Sequence, residues 1–297
     1  MVGRPIASLE SRIDGPVMLE HQRHLSSDSL AGRKTGSRGA DSARAYIERA
    51  FTRAGLRSFE GGYARRFSFR GRRDAAPRTG TNVVGYVAGL SNPSRYLVVS
   101  AHYDHLGVID GQIYNGADDN ASGVGALLAM ASWIARHPPR ASIIFVAFDA
   151  EEQGSQGARA FVAGPPVAID SILLDLNMDM VSRSSTGVLY AVGTHHSPVL
   201  APYVQRAAAR SSVTLRMGHD TPDLPKGEDW TNSSDQAPFH TAGIPFLYFG
   251  VEDHPDYHRP TDDIERVDTV FYIGAVNVIL DVVLMLDAER PQLPPRK

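Results

Sequence analysis

Along the first part of the chain one stretch has clear helical periodicity. Ala43, Tyr46, Ile47, Ala50, Phe51 and Ala54 recur at three- and four-residue steps. That spacing predicts a helix over 41–55, with Asp41 or Ser42 placed to cap its start and Gly55 to end it. Before it, Gly32, Gly36 and Gly39 lie among basic residues and predict a loop. Residues 70–80 read as a second polar connection, its basic tract short enough to be solvated surface. Residues 1–75 are therefore expected to form an amino-terminal helical and loop segment packed on the rest.

After residue 80 the pattern changes, and short apolar runs alternate with helix-length segments. The runs are Asn82–Val87, Tyr96–Ala101, Ile143–Phe148, Ile172–Met178 and Ile244–Phe249. The helical stretches are Ala121–Arg136, Pro198–Ala209 and a last one beginning near Asp268. Runs rich in Val and Ile and apolar on both faces suit strands buried between helix layers. The alternation predicts an α/β fold: one domain over residues 1–297, with a mixed, mostly parallel central sheet sandwiched between helices. The most apolar stretch, Phe271–Leu286, is interrupted by Asn277 and Asp281, so it reads as a packed terminal helix and not a membrane span.

Composition narrows the function classes. A hydrophobic share of 42% with 21% charged residues excludes a largely disordered chain. Thirty basic against thirty-three acidic side chains leave a net charge of −3, which favours neither nucleic acid nor an anionic membrane as partner. There are no cysteines. Disulfides, thiolate metal sites and a cysteine nucleophile are thereby excluded, and any metal must sit on histidines and carboxylates. Arg4, Glu10, Arg12 and Asp14 leave no secretory apolar segment in the first twenty residues. The expectation is either synthesis without a leader or a leader already removed, with a periplasmic or secreted location in the second case.

Three of the predicted strands run directly into reactive residues. Tyr96–Ala101 leads into His102-Tyr103-Asp104-His105, Ile143–Phe148 into Asp149-Ala150-Glu151-Glu152, and Ile172–Met178 into Asp179. Open α/β sheets bind ligands beyond the carboxyl ends of their strands. A turn-prone stretch from Asn115 to Gly123 carries Asp118 and Asp119, between which the residues alone do not choose. A histidine-rich segment, His254-Pro255-Asp256-Tyr257-His258, lies near the end. Pro255 argues against a helical His pair there. Adjacent Glu151 and Glu152 point different ways in an extended segment, so one is free to bind metal while the other faces water. Imidazole and carboxylate without sulfur suit zinc, cobalt, manganese or iron. No G-x-S-x-G follows a strand, which leaves a serine hydrolase without support. His21, His24, His137, His219 and His240 read as structural or surface residues, as does the His195-His196 pair. His105 reads as standing behind the site at most.

The segments HYD at 102, GADDNASG at 116, FDAEEQG at 148, NMDM at 177 and YHRPTDD at 257, in that order, resemble the di-zinc aminopeptidases. That clan also holds the glutamate carboxypeptidases, the glutaminyl cyclases and the transferrin-receptor ectodomain. LAGRKTGSRG at 30 is similar to the family's amino-terminal approach to the site. The resemblance implies two Zn²⁺ per chain. Asp119 would bridge them, with His102 and Asp179 completing one site and Glu152 and His258 the other. Two divalent ions would then be balanced by three carboxylates and a bridging hydroxide. Glu151 would be the general base, Asp104 the partner orienting His102, and Tyr257 a contact to the scissile carbonyl. The function implied is a metal-dependent exopeptidase of the aminopeptidase type, acting on a peptide or amino-acid amide. A one-zinc glutaminyl cyclase, a carboxypeptidase or aminoacylase, and a non-catalytic ectodomain are the alternatives. The sequence departs from the family in two places. Gln236 follows Ser234-Asp235 where the family often has His, and no protease-associated insert fits between His102 and Asp119.

Overall fold

In the central strands successive side chains serve two different cores, as the two-residue strand period dictates. Ile143, Phe145 and Ala147 face one hydrophobic cluster, and Ile144, Val146 and Phe148 face the other. The computed structural model describes residues 11–71, 75–225 and 227–292. Its strands are β1 (Arg57–Ser58), β2 (Ala64–Arg70), β3 (Pro77–Val87), β4 (Asn92–His102), β5 (Gly107–Ile109), β6 (Gln112–Tyr114), β7 (Ala141–Phe148), β8 (Ile172–Met178), β9 (Val188–Val192), β10 (Thr214–Met217) and β11 (Phe246–Gly250). The α-helices are α1 (Gly15–Leu25), α2 (Arg38–Ala54), α3 (Gly123–Arg136), α4 (Gln156–Ala163), α5 (Ala201–Ala208), α6 (Gln236–Thr241) and α7 (Thr269–Glu289).

Strands of the main sheet run in the order β1-β3-β7-β4-β8-β11-β9-β10, with β2 also paired to β3. Its centre, β7-β4-β8-β11, is parallel, and antiparallel pairs flank it at β3/β7 and β11/β9. Side chains of α1, α2, α3, α5 and α7 build the larger core, while Phe161 of α4 and Phe239 of α6 close the other face. The result is the expected mixed sheet between helices. Parallel strands at the centre put the ends of β4, β7, β8 and β11 on one edge, and this organises the site.

Several boundaries differ from the expectation, each for a local reason. β3 begins at Pro77 and not near Asn82, because β2 pairs with it from Arg70↔Pro77 to Ala64↔Val83. β2 itself alternates exposed and half-buried positions, so no apolar run announces it. The connection expected over 70–80 thus takes in the end of β2 and the start of β3, and residues 72–74 lie outside the described residues. Ser37, and neither Asp41 nor Ser42, caps α2, accepting from the N–H of Ala40 at 3.2 Å. Gly39 therefore lies inside the helix, where a Cβ would sit 1.8 Å from the Leu30 carbonyl oxygen. Gly55 ends α2 in the left-handed region (φ 79°), as expected.

α7 is long and apolar enough to cross a membrane, but 61% of its most apolar window is buried in the protein. Asp268 caps it, accepting from Val270 and Phe271 N–H at 3.0 Å. Asn277 and Asp281, which interrupt its apolar run, both bind Arg12. Between His102 and Asp119 there is room only for the β5–β6 hairpin.

Candidate metal centre

Four parallel strands deliver candidate groups to the same edge. His102 is the last residue of β4, Glu151 and Glu152 follow β7, Asp179 follows β8, and His258 lies in the turn after β11. Asp119 comes from the turn entering α3. Ala150, Met180 and His258 hold left-handed backbone (φ 61°, 59° and 54°), a conformation costly for residues with a Cβ and concentrated at functional sites.

The distances identify which atoms share a centre. His102 Nε2 lies 3.4 Å from Asp119 Oδ1 and 3.3 Å from Asp179 Oδ1. His258 Nε2 lies 3.0 Å from Asp119 Oδ2 and 3.5 Å from Glu152 Oε2. Two ligands at ~2.0–2.1 Å from one tetrahedral zinc stand about 3.3 Å apart, so both groups have the spacing of a coordination sphere. The two oxygens of Asp119 face the two groups separately, while Asp118 turns away to Ser182 and His254. Asp179 Oδ1 and Glu152 Oε1 are buried without a hydrogen-bond donor. Burying carboxylates so close together without cations is costly. The donor set of imidazole nitrogens and carboxylate oxygens fits zinc.

The carboxylates favour the charged forms of the histidines that face them. Burial opposes a charged His102, but Asp179 and Asp104 outweigh it and hold its pKa well above the ordinary value. Burial likewise opposes His258, and Asp119 and Glu152 raise it to about 10. Glu152 is pushed up by burial and pulled further down by His105 and His258, ending below the usual carboxylate range. Glu151 goes the other way. Burial lifts it far above that range against the pull of His102, and Asp235, Glu152 and Asp179 add to the rise.

His102 Nδ1 lies 3.1 Å from the main-chain oxygen of Asp104 and 3.7 Å from its carboxylate. The Asp104 side chain accepts instead from the Glu151 and Glu152 N–H groups, at 3.0 and 3.4 Å. It thereby shapes the glutamate turn as well as flanking the histidine ring. Arg33, buried in the segment before α2, donates to the carbonyls of Tyr103 at 2.8 Å, Leu25 and Asn115 at 2.5 Å, and Gly116 at 3.1 Å. It ties the His102 loop to the Asp119 loop. Asp262 accepts from the N–H groups of Asp118 and Asp119, so the end of the YHRPTDD motif fixes the turn that carries Asp119.

A cleft of about 360 Å³ opens over Glu151, Glu152, Asp179 and His258. Tyr257, stacked on His258 with ring centres 4.0 Å apart, also lines it. Its other wall escaped sequence reasoning. Trp230 stacks on His219 at 3.8 Å, and Tyr248 meets Trp230 edge-on. His219 and Trp230 come from loops with no periodic signal, and Tyr248 from within β11. Gln236, where the family often has His, donates to the Trp230 carbonyl at 2.7 Å and supports that wall from behind.

The family model for peptidase family M28 matches residues 82–283. The chain belongs to peptidase family M28. Among its relatives, an aminopeptidase of Bacillus subtilis, YwaD, is 31% identical over 201 residues, covering 64% of this chain and 41% of that protein. A probable zinc metalloprotease of Leptosphaeria maculans is 37% identical over 224 residues, covering 65% and 51%. A probable glutamate carboxypeptidase of Zea mays, VP8, is 30% identical over 233 residues, covering 72% and 31%. The chain thus spans about half or less of these curated relatives. The fold is shared with BSAP, a zinc aminopeptidase from Bacillus subtilis, at a TM-score of 0.76 and 17% identity over 93% of this chain and 96% of that one. It is shared equally with a glutaminyl cyclase of Porphyromonas gingivalis, at 0.73 and 15% over 92% and 98%.

Proposed function

We propose that this chain is a zinc-dependent exopeptidase of the aminopeptidase type, holding two metal ions per chain. Asp119 is the bridging ligand in this reading, His102 and Asp179 complete one site, and Glu152 and His258 the other. The observation that carries it is the spacing of these five side chains, 3.0–3.5 Å between ligand atoms, around carboxylate oxygens that lack donors. When bound, the ions supply Lewis acidity to a water and to the scissile carbonyl.

The protein's own groups do the rest. Glu151, which lines the cleft beside the metal residues, would be drawn back to its carboxylate form by two adjacent cations; it takes the water's proton and passes it to the leaving amine, a role worth roughly 10²–10⁴-fold. Tyr257 is held in its neutral form by burial and by Asp119 and Asp179, so its hydroxyl remains a donor to the carbonyl oxygen. Glu151 and the outer oxygen of Asp179 flank the place of an α-ammonium. A cation beside carboxylates in a partly desolvated cleft is strongly favoured. Anchoring the ammonium there sets the first peptide bond, and no later one, against the water.

The test compares an amino-acid anilide with its N-acetyl form. Acetylation removes the charge and adds bulk, so kcat/KM is expected to fall by about 10²-fold or more. Equal cleavage of both substrates would overturn the aminopeptidase assignment, whatever the metal content.

A further inference from the structure

We propose that His105 is an additional ligand of the metal site formed by Asp119 and Glu152, coordinating through Nδ1. This rests on the two-metal reading above and adds a third imidazole to it. The ring is completely buried, its side-chain exposure 0%. Its Nδ1 lies 2.8 Å from Glu152 Oε1 and 3.7 Å from Asp119 Oδ2. These separations bracket the roughly 3.3 Å expected between two ligands of one tetrahedral zinc, as the distances from His258 do. Despite the 2.8 Å approach, neither ring nitrogen makes an aligned hydrogen bond, and Glu152 Oε1 has no donor. Nδ1, Oδ2 and Oε1 thus lie close enough to one another to share a single ion. A buried imidazole without an aligned hydrogen bond is expensive, and an ion held among the three atoms would satisfy them all at once.

The local backbone is shaped to admit the ring. Gly116 holds φ 55°, and a Cβ there would stand 2.6 Å from His105 Cδ2 and 2.7 Å from Cγ. The His105 and His258 ring centres lie 5.8 Å apart, and each ring approaches a different oxygen of Glu152. His102 has an oxygen at its outer nitrogen, whereas His105 Nε2 has no acceptor among the described residues. A ligand without that outer support binds more weakly. Loss of His105 should therefore weaken its site without abolishing it.

The test uses ¹⁵N-histidine-labelled protein and chelator-competition titration with zinc. In wild type, zinc is expected to shift the ring-nitrogen resonances of three histidines, one of which disappears in His105→Phe, a variant that keeps a ring but cannot ligate. His105→Phe should weaken one of two zinc constants by about tenfold or more and leave the other unchanged. His105→Asn, smaller and still able to present an oxygen, provides a second variant should the phenylalanine disturb folding, and it should weaken the same constant. Two zinc-shifted histidines in wild type, or unchanged constants in both variants, would overturn the inference while leaving the two-metal reading intact. A weakened constant without a missing zinc-shifted histidine would also overturn it, since the ring would then only be holding Glu152. A wild-type chain that binds fewer than two zinc ions would overturn both.

Discussion

Arg33→Met should destabilise the metal-free protein by several kcal/mol, although Arg33 touches no proposed ligand side chain. Its guanidinium donates to four buried main-chain carbonyls, and methionine donates to none. At about 2 kcal/mol for each carbonyl left unpaired, the loss is ~8 kcal/mol. Against this, the variant no longer buries a cation. Burial, only partly offset by Asp119, Asp104, Asp262 and Glu152, lowers the Arg33 pKa from 12.5 to about 10. At about 1.36 kcal/mol per unit, that relief is worth ~3 kcal/mol. The net is about 5 kcal/mol, or roughly 8 °C in Tm for a chain of this length. Arg33→Lys keeps the charge but has one nitrogen where the fork had three, so it should recover about half. Urea unfolding followed by circular dichroism, with chelated protein, measures all three. A loss under about 1 kcal/mol in Arg33→Met would refute the role given to these four bonds.

Glu151→Gln should retain both metals while kcat falls by about 10²-fold or more, whereas Glu152→Gln should weaken one metal site; equal metal loss in the two variants would reverse or void the roles. His21 supplies a pH effect away from the site: burial first, with Arg53 and His24, lowers its pKa to about 4, and its Nδ1 lies 2.7 Å from the Tyr46 hydroxyl. Between about pH 6.5 and 4 the unfolded chain binds a proton that the folded chain refuses, so this contribution is complete above pH 6.5 and lost as the pH falls to 4. The stability difference between wild type and His21→Gln should therefore shrink by up to about 3 kcal/mol over that range, and a difference independent of pH would contradict the burial argument.

The parts of the fold that were legible in the sequence are those where burial is two-sided. β7 and β8 are buried almost throughout, so their apolar runs coincide with the strands to within two residues. β2 is an edge strand with polar residues on its outer face, and its strand character comes from pairing with β3, which composition does not record. Most candidate ligands stood out because they follow a buried strand or stand in a glycine-rich turn, whereas His258, well past the end of β11, was marked only by the family resemblance. The choice between Asp118 and Asp119 was not readable, since it depends on which carboxylate Ser182 and His254 engage from distant parts of the chain. The nearness of His105 to Glu152 was not readable for a similar reason, since a neighbouring strand brings the two together. The Trp230–His219 wall joins two loop residues through stacking alone.

The central claim is tested most directly by titrating metal back into exhaustively chelated protein while following hydrolysis of an amino-acid anilide. The account predicts no activity without metal, and recovery with zinc that reaches its plateau at two equivalents per chain. Full activity in the metal-free protein would contradict the whole assignment. A plateau at one equivalent would contradict the bridging role of Asp119 and favour one-zinc chemistry.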